Sequence, residues 1–313
     1  MSNFQVCFNA IFPIMLIMAL GYLARCSGVI GANEVQKMNG AAFKFMMPFM
    51  LYYNIYKSDL TGAFDPMLLL FAIICFFVIF FSCVFIAKKI HCPQEQRGVI
   101  AQGLYRSNFV IIGIPLAQNL LPEGTDIGSV VVLVAVIVPL FNMVSVIVLE
   151  MFSGKSPNAK KLAKDIITNP LILGTLAGVI TVLLGIKLPE FITSTLKQIA
   201  AATSPLLLFL LGAFFSFDGL HKCLKPTILV TIGRLIIVPG IVLAAAIACG
   251  FRGVALAGLL GAFGSANAIA SFAMTQQLGG DAELAGNIIV LTSAGCIVTL
   301  FLWSMLLKTF GLI

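Results

Sequence analysis

The sequence predicts an all-α integral membrane protein of ten transmembrane helices arranged as a 5+5 inverted repeat, and three observations lead there. The composition is 60% hydrophobic and 10% charged, against roughly 45–50% and 25% in soluble domains, which leaves too little polar surface for a globule in water. Ten stretches meet or approach the roughly 20 apolar residues that a helix needs to cross a bilayer core of about 30 Å. The chain also repeats itself. Pro13 and Pro170, like Pro48 and Pro205, stand 157 residues apart; Pro66 and Pro226 are separated by 160, and Arg97-Gly98-Val99 and Arg252-Gly253-Val254, like Asp126 and Asp281, by 155. With five spans in each half, the second half enters the bilayer from the opposite face, as in secondary transporters built from inverted repeats.

Taken in order, the spans are expected near residues 6–24, 38–56, 67–87, 98–120 and 127–151, then 166–184, 196–215, 227–249, 253–278 and 282–310. The first apolar run lacks a basic segment before it and a small-residue cleavage site after it, so it reads as a span and not as a cleaved signal. The longest polar connection falls between the copies. Residues 1–152 form the first repeat, 153–165 a cytoplasmic linker and 166–313 the second repeat. Lys and Arg collect on one side: eleven, among them Arg25, Lys37, Lys88, Lys89 and Lys222, fall in alternate loops, and five (Lys57, Lys187, Lys197, Arg252 and Lys308) on the other side. Positive loops stay cytoplasmic, so both termini are expected outside a cell membrane.

The net charge of +7 sets topology and does not mark a nucleic-acid binder, because the basic residues are spread over short loops. The eight cysteines are scattered, with no C-x-x-C and no histidine at ligand spacing, so neither a disulfide framework nor a metal site is expected. No cofactor is indicated. His91 and His221 fall in cytoplasmic loops.

The fourth span carries Arg106-Ser107-Asn108, then Gly113 and Pro115. A proline inside a helix removes a donor and clashes with the preceding turn, so a kink or an unwound segment is expected there. The ninth span is small and polar through Gly264, Ser265 and Asn267 where a plain span would be leucine-rich. It lacks a proline, since an offset of 155 puts Pro115 on Ala270, so a weaker break is expected, carried by Gly264 and Asn267. Its alternative reading is a small-residue packing face. Interruptions at matching places in both halves point to a midplane binding site.

Three cations, Lys44, Arg106 and Arg234, and no deep carboxylate lie within spans. Lys44 is near enough to a span end to snorkel, and Arg234 reads equally as snorkelling or functional. Arg106 is deepest beside the break, and an unpaired intramembrane charge marks a functional site; the alternative is that it faces a cytoplasmic vestibule or caps backbone carbonyls of its own broken helix. An organic anion suits it, because guanidinium holds a carboxylate through two parallel hydrogen bonds. Candidate ligand contacts are Arg106, Asn108, Ser265 and Asn267, with Gly113, Pro115 and Gly264 making the breaks. The coupling ion is left open.

The phrases Arg106-Ser107-Asn108-Phe109, Gly113-Ile114-Pro115-Leu116, Asn169-Pro170-Leu171, Ser204-Pro205-Leu206 and Gly279-Gly280-Asp281-Ala282-Glu283-Leu284, in this order, resemble the bacterial branch of the auxin efflux carrier family. The resemblance implies a fold shared with plant PIN carriers and bile-acid symporters. In such carriers helices 1, 2, 6 and 7 form a scaffold and helices 3–5 and 8–10 a transport domain. Interrupted helices 4 and 9 cross there, substrate binds beside the crossing, the transport domain moves as an elevator, and homodimers are usual. Bacterial relatives are associated with dicarboxylates. The alternatives are a sodium-dependent symporter of bile-acid type, a membrane enzyme and a channel. An enzyme would call for clustered acids or a nucleophile with its base, which the sequence lacks.

Overall fold

In the computed structural model, residues 3–57, 65–122, 124–153, 168–215, 220 and 222–313 are described. Most of the expected linker, with Lys155, Lys160, Lys161 and Lys164, lies outside them, as does His221. Among the described residues every regular element is helical. Among the described residues, five helices are long and apolar enough to cross a membrane: Pro66–Lys89, Gly128–Phe152, Glu190–Phe214, Leu224–Ala248 and Ala282–Thr309. The protein is thus a multi-pass membrane protein in composition and in fold.

The chain begins with α1 (Asn3–Cys26) and continues through α2 (Ala32–Ala41), a π-helical turn (Ala42–Met46) and α3 (Met47–Tyr56), which form one uninterrupted rod. Next come α4 (Pro66–Lys89), α5 (Gln94–Tyr105), a second π turn (Phe109–Gly113) leading into α6 (Ile114–Leu120), and α7 (Gly128–Phe152). After the linker follow α8 (Pro170–Leu183), α9 (Glu190–Phe214), and α10 (Leu224–Ile232) joined through a third π turn (Gly233–Ile237) to α11 (Val238–Ala248). The chain ends with α12 (Val254–Gly264), α13 (Ala270–Leu278) and α14 (Ala282–Thr309).

Proline accounts for the π turns. Each ends two residues before one: Met46 before Pro48, Gly113 before Pro115 and Ile237 before Pro239. A proline ring clashes with the carbonyl one turn back and offers no N–H to it; a wider turn absorbs the mismatch without ending the rod. Polar side chains set several helix starts. Asp65 accepts from the N–H groups of Met67 and Leu68 at the head of α4, and Asn169 from that of Leu171 at the head of α8. Asp281 caps α14, accepting from Leu284 N–H, whereas Asp126 stands one residue ahead of the α7 cap position and accepts from Gly128 N–H.

Packing forms two neighbourhoods. In one, α1 lies along α9 while α3 lies between α8 and α9. The α1–α9 contact is backbone on backbone: a Cβ on Gly21 would fall 2.0 Å from the Phe209 carbonyl oxygen, and one on Gly212 1.8 Å from that of Met18. Membrane helices associate through such small-residue faces, because lipid offers no hydrophobic drive to bring them together. In the other, α4, α5 and α7 pack together, and α12 meets α6, α7 and α11. Helix α1 also touches α6 and α14, bridging the neighbourhoods. Many large apolar side chains face outward, including Leu70, Ile74, Val78, Phe81 and Phe85 along one side of α4, as a lipid-facing helix requires.

Candidate functional site

Two helices are interrupted, and the interruptions touch. The first spans Arg106–Asn108, between α5 and the π turn; the second spans Ser265–Ile269, between α12 and α13. The break in the first half therefore lies upstream of Gly113 and Pro115: Gly113 closes the π turn and Pro115 sits in the first turn of α6. The proline widens its helix and the polar triplet ends it. The second break, expected to be the weaker, is the longer of the two, and hydrogen bonds from other helices hold it open in place of a proline. The half-helices end at Tyr105 and Gly264, an offset of 159, so Asn267 and not Phe263 corresponds to Asn108.

The crossing is closed by its own backbone. Asn108 N–H donates to Ala266 C=O at 2.8 Å. Asn267 Nδ2 donates to Gly103 C=O at 3.0 Å and its Oδ1 accepts from Ser271 Oγ at 2.7 Å, while its backbone N–H donates to Thr292 Oγ1 at 3.1 Å. Ser265 Oγ donates to Gly261 C=O at 2.6 Å. A Cβ on Gly113 would lie 2.9 Å from the backbone of Gly261, and one on Gly261 2.9 Å from Gly113 Cα, so the rods cross at a pair of glycines. Unwound backbone at bilayer depth needs such internal partners.

Arg234 lies at the centre of this arrangement and is fully buried. Its Nε donates to Ser265 C=O at 3.1 Å, Nη1 to Tyr105 C=O at 3.2 Å and Nη2 to Ala262 C=O at 3.3 Å. Snorkelling is excluded by that burial.

Beside the crossing opens a cavity of about 330 Å³, walled by α3, α7, α9 and both breaks. Arg106, 2% exposed, lies in its wall, donating through Nη2 to Asn142 Oδ1 at 2.7 Å and through Nη1 to Met274 Sδ. Ser107 and Asn108 follow it along the wall; Ser107 Oγ is buried and has no hydrogen-bond partner. Lys57 and Lys197 sit at the exposed rim. Among the described lining residues there are three cations and no carboxylate. Of the four expected ligand contacts, Arg106 and Asn108 line the cavity; Ser265 and Asn267 stand behind it, within the crossing. Neither downstream half-helix, at Phe109 or at Ala270, has a side-chain cap, and both begin at the cavity wall. Asn142 was not singled out from sequence, although an asparagine within the apolar run of the fifth span was signal enough. The rim lysines lie far apart in sequence, and only the fold brings them together.

Comparison with known proteins points the same way. Residues 6–304 match the family described as "Membrane transport protein". An "Uncharacterized transporter" of Methanothermobacter thermautotrophicus is 24% identical over 318 residues, covering 96% of this chain and 98% of its own. The "Uncharacterized transporter YfdV" of Escherichia coli K12 is 24% identical over 310 residues, covering 94% and 95%. A further uncharacterized transporter, from Methanocaldococcus jannaschii, is 22% identical over 250 residues, covering 74% and 76%. Matched over nearly its whole length, this chain belongs to the membrane transport protein family, that of the auxin efflux carriers.

Proposed function

We propose that this protein is a secondary carrier of the cell membrane that moves a small organic anion, a carboxylate or dicarboxylate, by alternating access. The observation that carries the reading is the cavity itself, which sits beside two broken helices and is lined by Arg106, Lys57 and Lys197 with no acid among its described lining residues. A buried guanidinium that faces a cavity without a carboxylate partner is suited to a carboxylate ligand. Uncapped helix N-termini at Phe109 and Ala270 add positive potential in the same place.

In this proposal ten spans form two oppositely inserted halves, with both termini outside. Breaks in both the fourth and the ninth spans support the repeat. The α1, α3, α8 and α9 neighbourhood forms the scaffold of a homodimer, and the unit built around the crossing moves against it as an elevator. Arg106 supplies charge, and Ser107 and Asn108 supply polar contacts to the ligand. Ser265 and Asn267 act one step back, through the backbone they hold.

The test is uptake by proteoliposomes of radiolabelled acetate, malonate, malate and glutarate, with malonamide as the neutral control. Saturable uptake of at least one carboxylate is expected, reduced about ten-fold or more in Arg106→Ala. Full retention in both Arg106→Ala and Asn108→Ala would remove the site; no saturable uptake of any anion would remove the function.

A further inference from the structure

Four half-helix ends meet at the crossing: two C-terminal ends at Tyr105 and Gly264, and two N-terminal ends at Phe109 and Ala270. Each C-terminal end carries about half a negative charge and each N-terminal end about half a positive one. A crossing of this kind is close to neutral as a whole and gives a ligand no reason to prefer one sign.

Arg234 breaks that balance. Its three donors reach the carbonyls of Tyr105, Ala262 and Ser265, which belong to the terminal turns of the two upstream half-helices and to the first residue of the second break. One guanidinium charge matches the two half-charges gathered there. The negative poles of both helices are thus neutralised at the buried side of the crossing. The positive poles are left: Phe109, Val110 and Ala270 line the cavity, whereas Arg234 is fully buried and does not. Among the described residues the hydrogen-bond partners of Arg234 are backbone carbonyls. Its own helix is prepared for this role. Arg234 sits in the π turn Gly233–Ile237 ahead of Pro239, and Trp303 Nε1 donates at 3.0 Å to the Leu235 carbonyl within that turn.

We propose that Arg234 sets the sign of the ligand accepted in the cavity without touching the ligand, by cancelling the electronegative ends of both upstream half-helices so that the electropositive half-helix ends are left facing the bound molecule. It is a positioning residue for polarity, distinct from Arg106, which lines the cavity directly. Its meaning for transport rests on the anion reading above; the potential it creates can be measured without any substrate.

Ala201 lies on the exposed face of α9 and lines the cavity. In the purified full chain carrying Ala201→Cys, the modification rates by anionic sulfonatoethyl and cationic trimethylammonioethyl methanethiosulfonate are measured at that peptide by mass spectrometry, so that the native cysteines do not interfere. The anionic-to-cationic ratio is normalised to the same reagents on free cysteine. A ratio above that of free cysteine is expected, falling about ten-fold when Arg234→Gln or Arg234→Met is added and staying within about two-fold of the starting value in Arg234→Lys. An unchanged ratio in a folded charge-free variant overturns the proposal. Should neither charge-free variant fold, Arg234→Lys decides, because it keeps the charge but not the three-pronged fork: a preserved ratio supports the proposal and a collapsed one overturns it. If no carboxylate is taken up but the ratio still shifts, the transport reading fails and this one stands.

Discussion

Arg106 is held by neutral partners, which leaves its charge available. Asn142 Oδ1 accepts from it at 2.7 Å, and replacing that amide by a carboxylate of the same shape turns a neutral hydrogen bond into an ion pair. Asn142→Asp is therefore expected to lower anion uptake about ten-fold or more while leaving the melting temperature unchanged or raised, read by proteoliposome flux and thermal unfolding in detergent. Ser107 makes a complementary case. Its Oγ is buried without a partner, so Ser107→Ala removes no bond from the ligand-free protein. Stability should hold or improve, whereas the substrate concentration for half-maximal uptake should rise by about five-fold, the worth of one hydrogen bond of about 1 kcal/mol. A purely structural serine would show neither half of that split. Arg106 was legible from sequence because a cation among apolar residues has few innocent explanations. Ser107, beside the break, could be expected near a cavity from sequence; that its hydroxyl lacks a partner, and that Asn142 meets Arg106 across the same cavity, came only from the packing.

Helices here are shaped by prolines and ended at segments that carry polar residues, and the two effects separate cleanly. Pro48, Pro115 and Pro239 each follow a π turn in a helix that continues, while the true interruptions fall on Arg106–Asn108 and Ser265–Ile269. The ninth-span break needs no proline, because Arg234, Asn108 and Thr292 take up the backbone groups of Ser265, Ala266 and Asn267 that unwinding exposes. Where the rods cross, Gly113 and Gly261 are in backbone contact, and an added Cβ would meet the opposite chain at 2.9 Å. Gly113→Ala and Gly261→Ala are each expected to destabilise by about 1–3 kcal/mol, seen as a lower melting temperature and lost uptake. Gly240→Ala serves as the control: its nearest neighbour is Trp303 at 3.4 Å, an ordinary contact, and alanine favours the helix by up to about 1 kcal/mol.

In the proposed carrier the described state closes one end and opens the other. The cavity rim carries Lys57 and Lys197, both on the outer side of the expected topology. Towards the inner side, Asn39 Nδ2 of α2 donates to Gln276 Oε1 of α13, joining the rod of the first neighbourhood to the second broken helix. A cysteine pair at Asn39 and Gln276, bridged by a short bifunctional thiol reagent, should stop uptake yet leave ligand-induced thermal stabilisation in place; undiminished uptake in the bridged protein would argue against movement across this contact. Two native thiols test the topology. Cys26 and Cys249 are exposed at helix ends, and with both termini outside, an impermeant maleimide should label Cys249 on intact cells and Cys26 only after permeabilisation. Membrane residence and the presence of a break close to Arg106 could be read along the chain, because each is a matter of local composition, although the break falls upstream of Gly113 and Pro115, which the sequence predicts to make it. Which arginine faces a cavity and which clamps carbonyls, where the second break begins, and how Lys57, Asn142 and Lys197 come to share one space were decided by packing. Those properties depend on contacts between residues dozens to hundreds of positions apart, for which a linear pattern carries no signal.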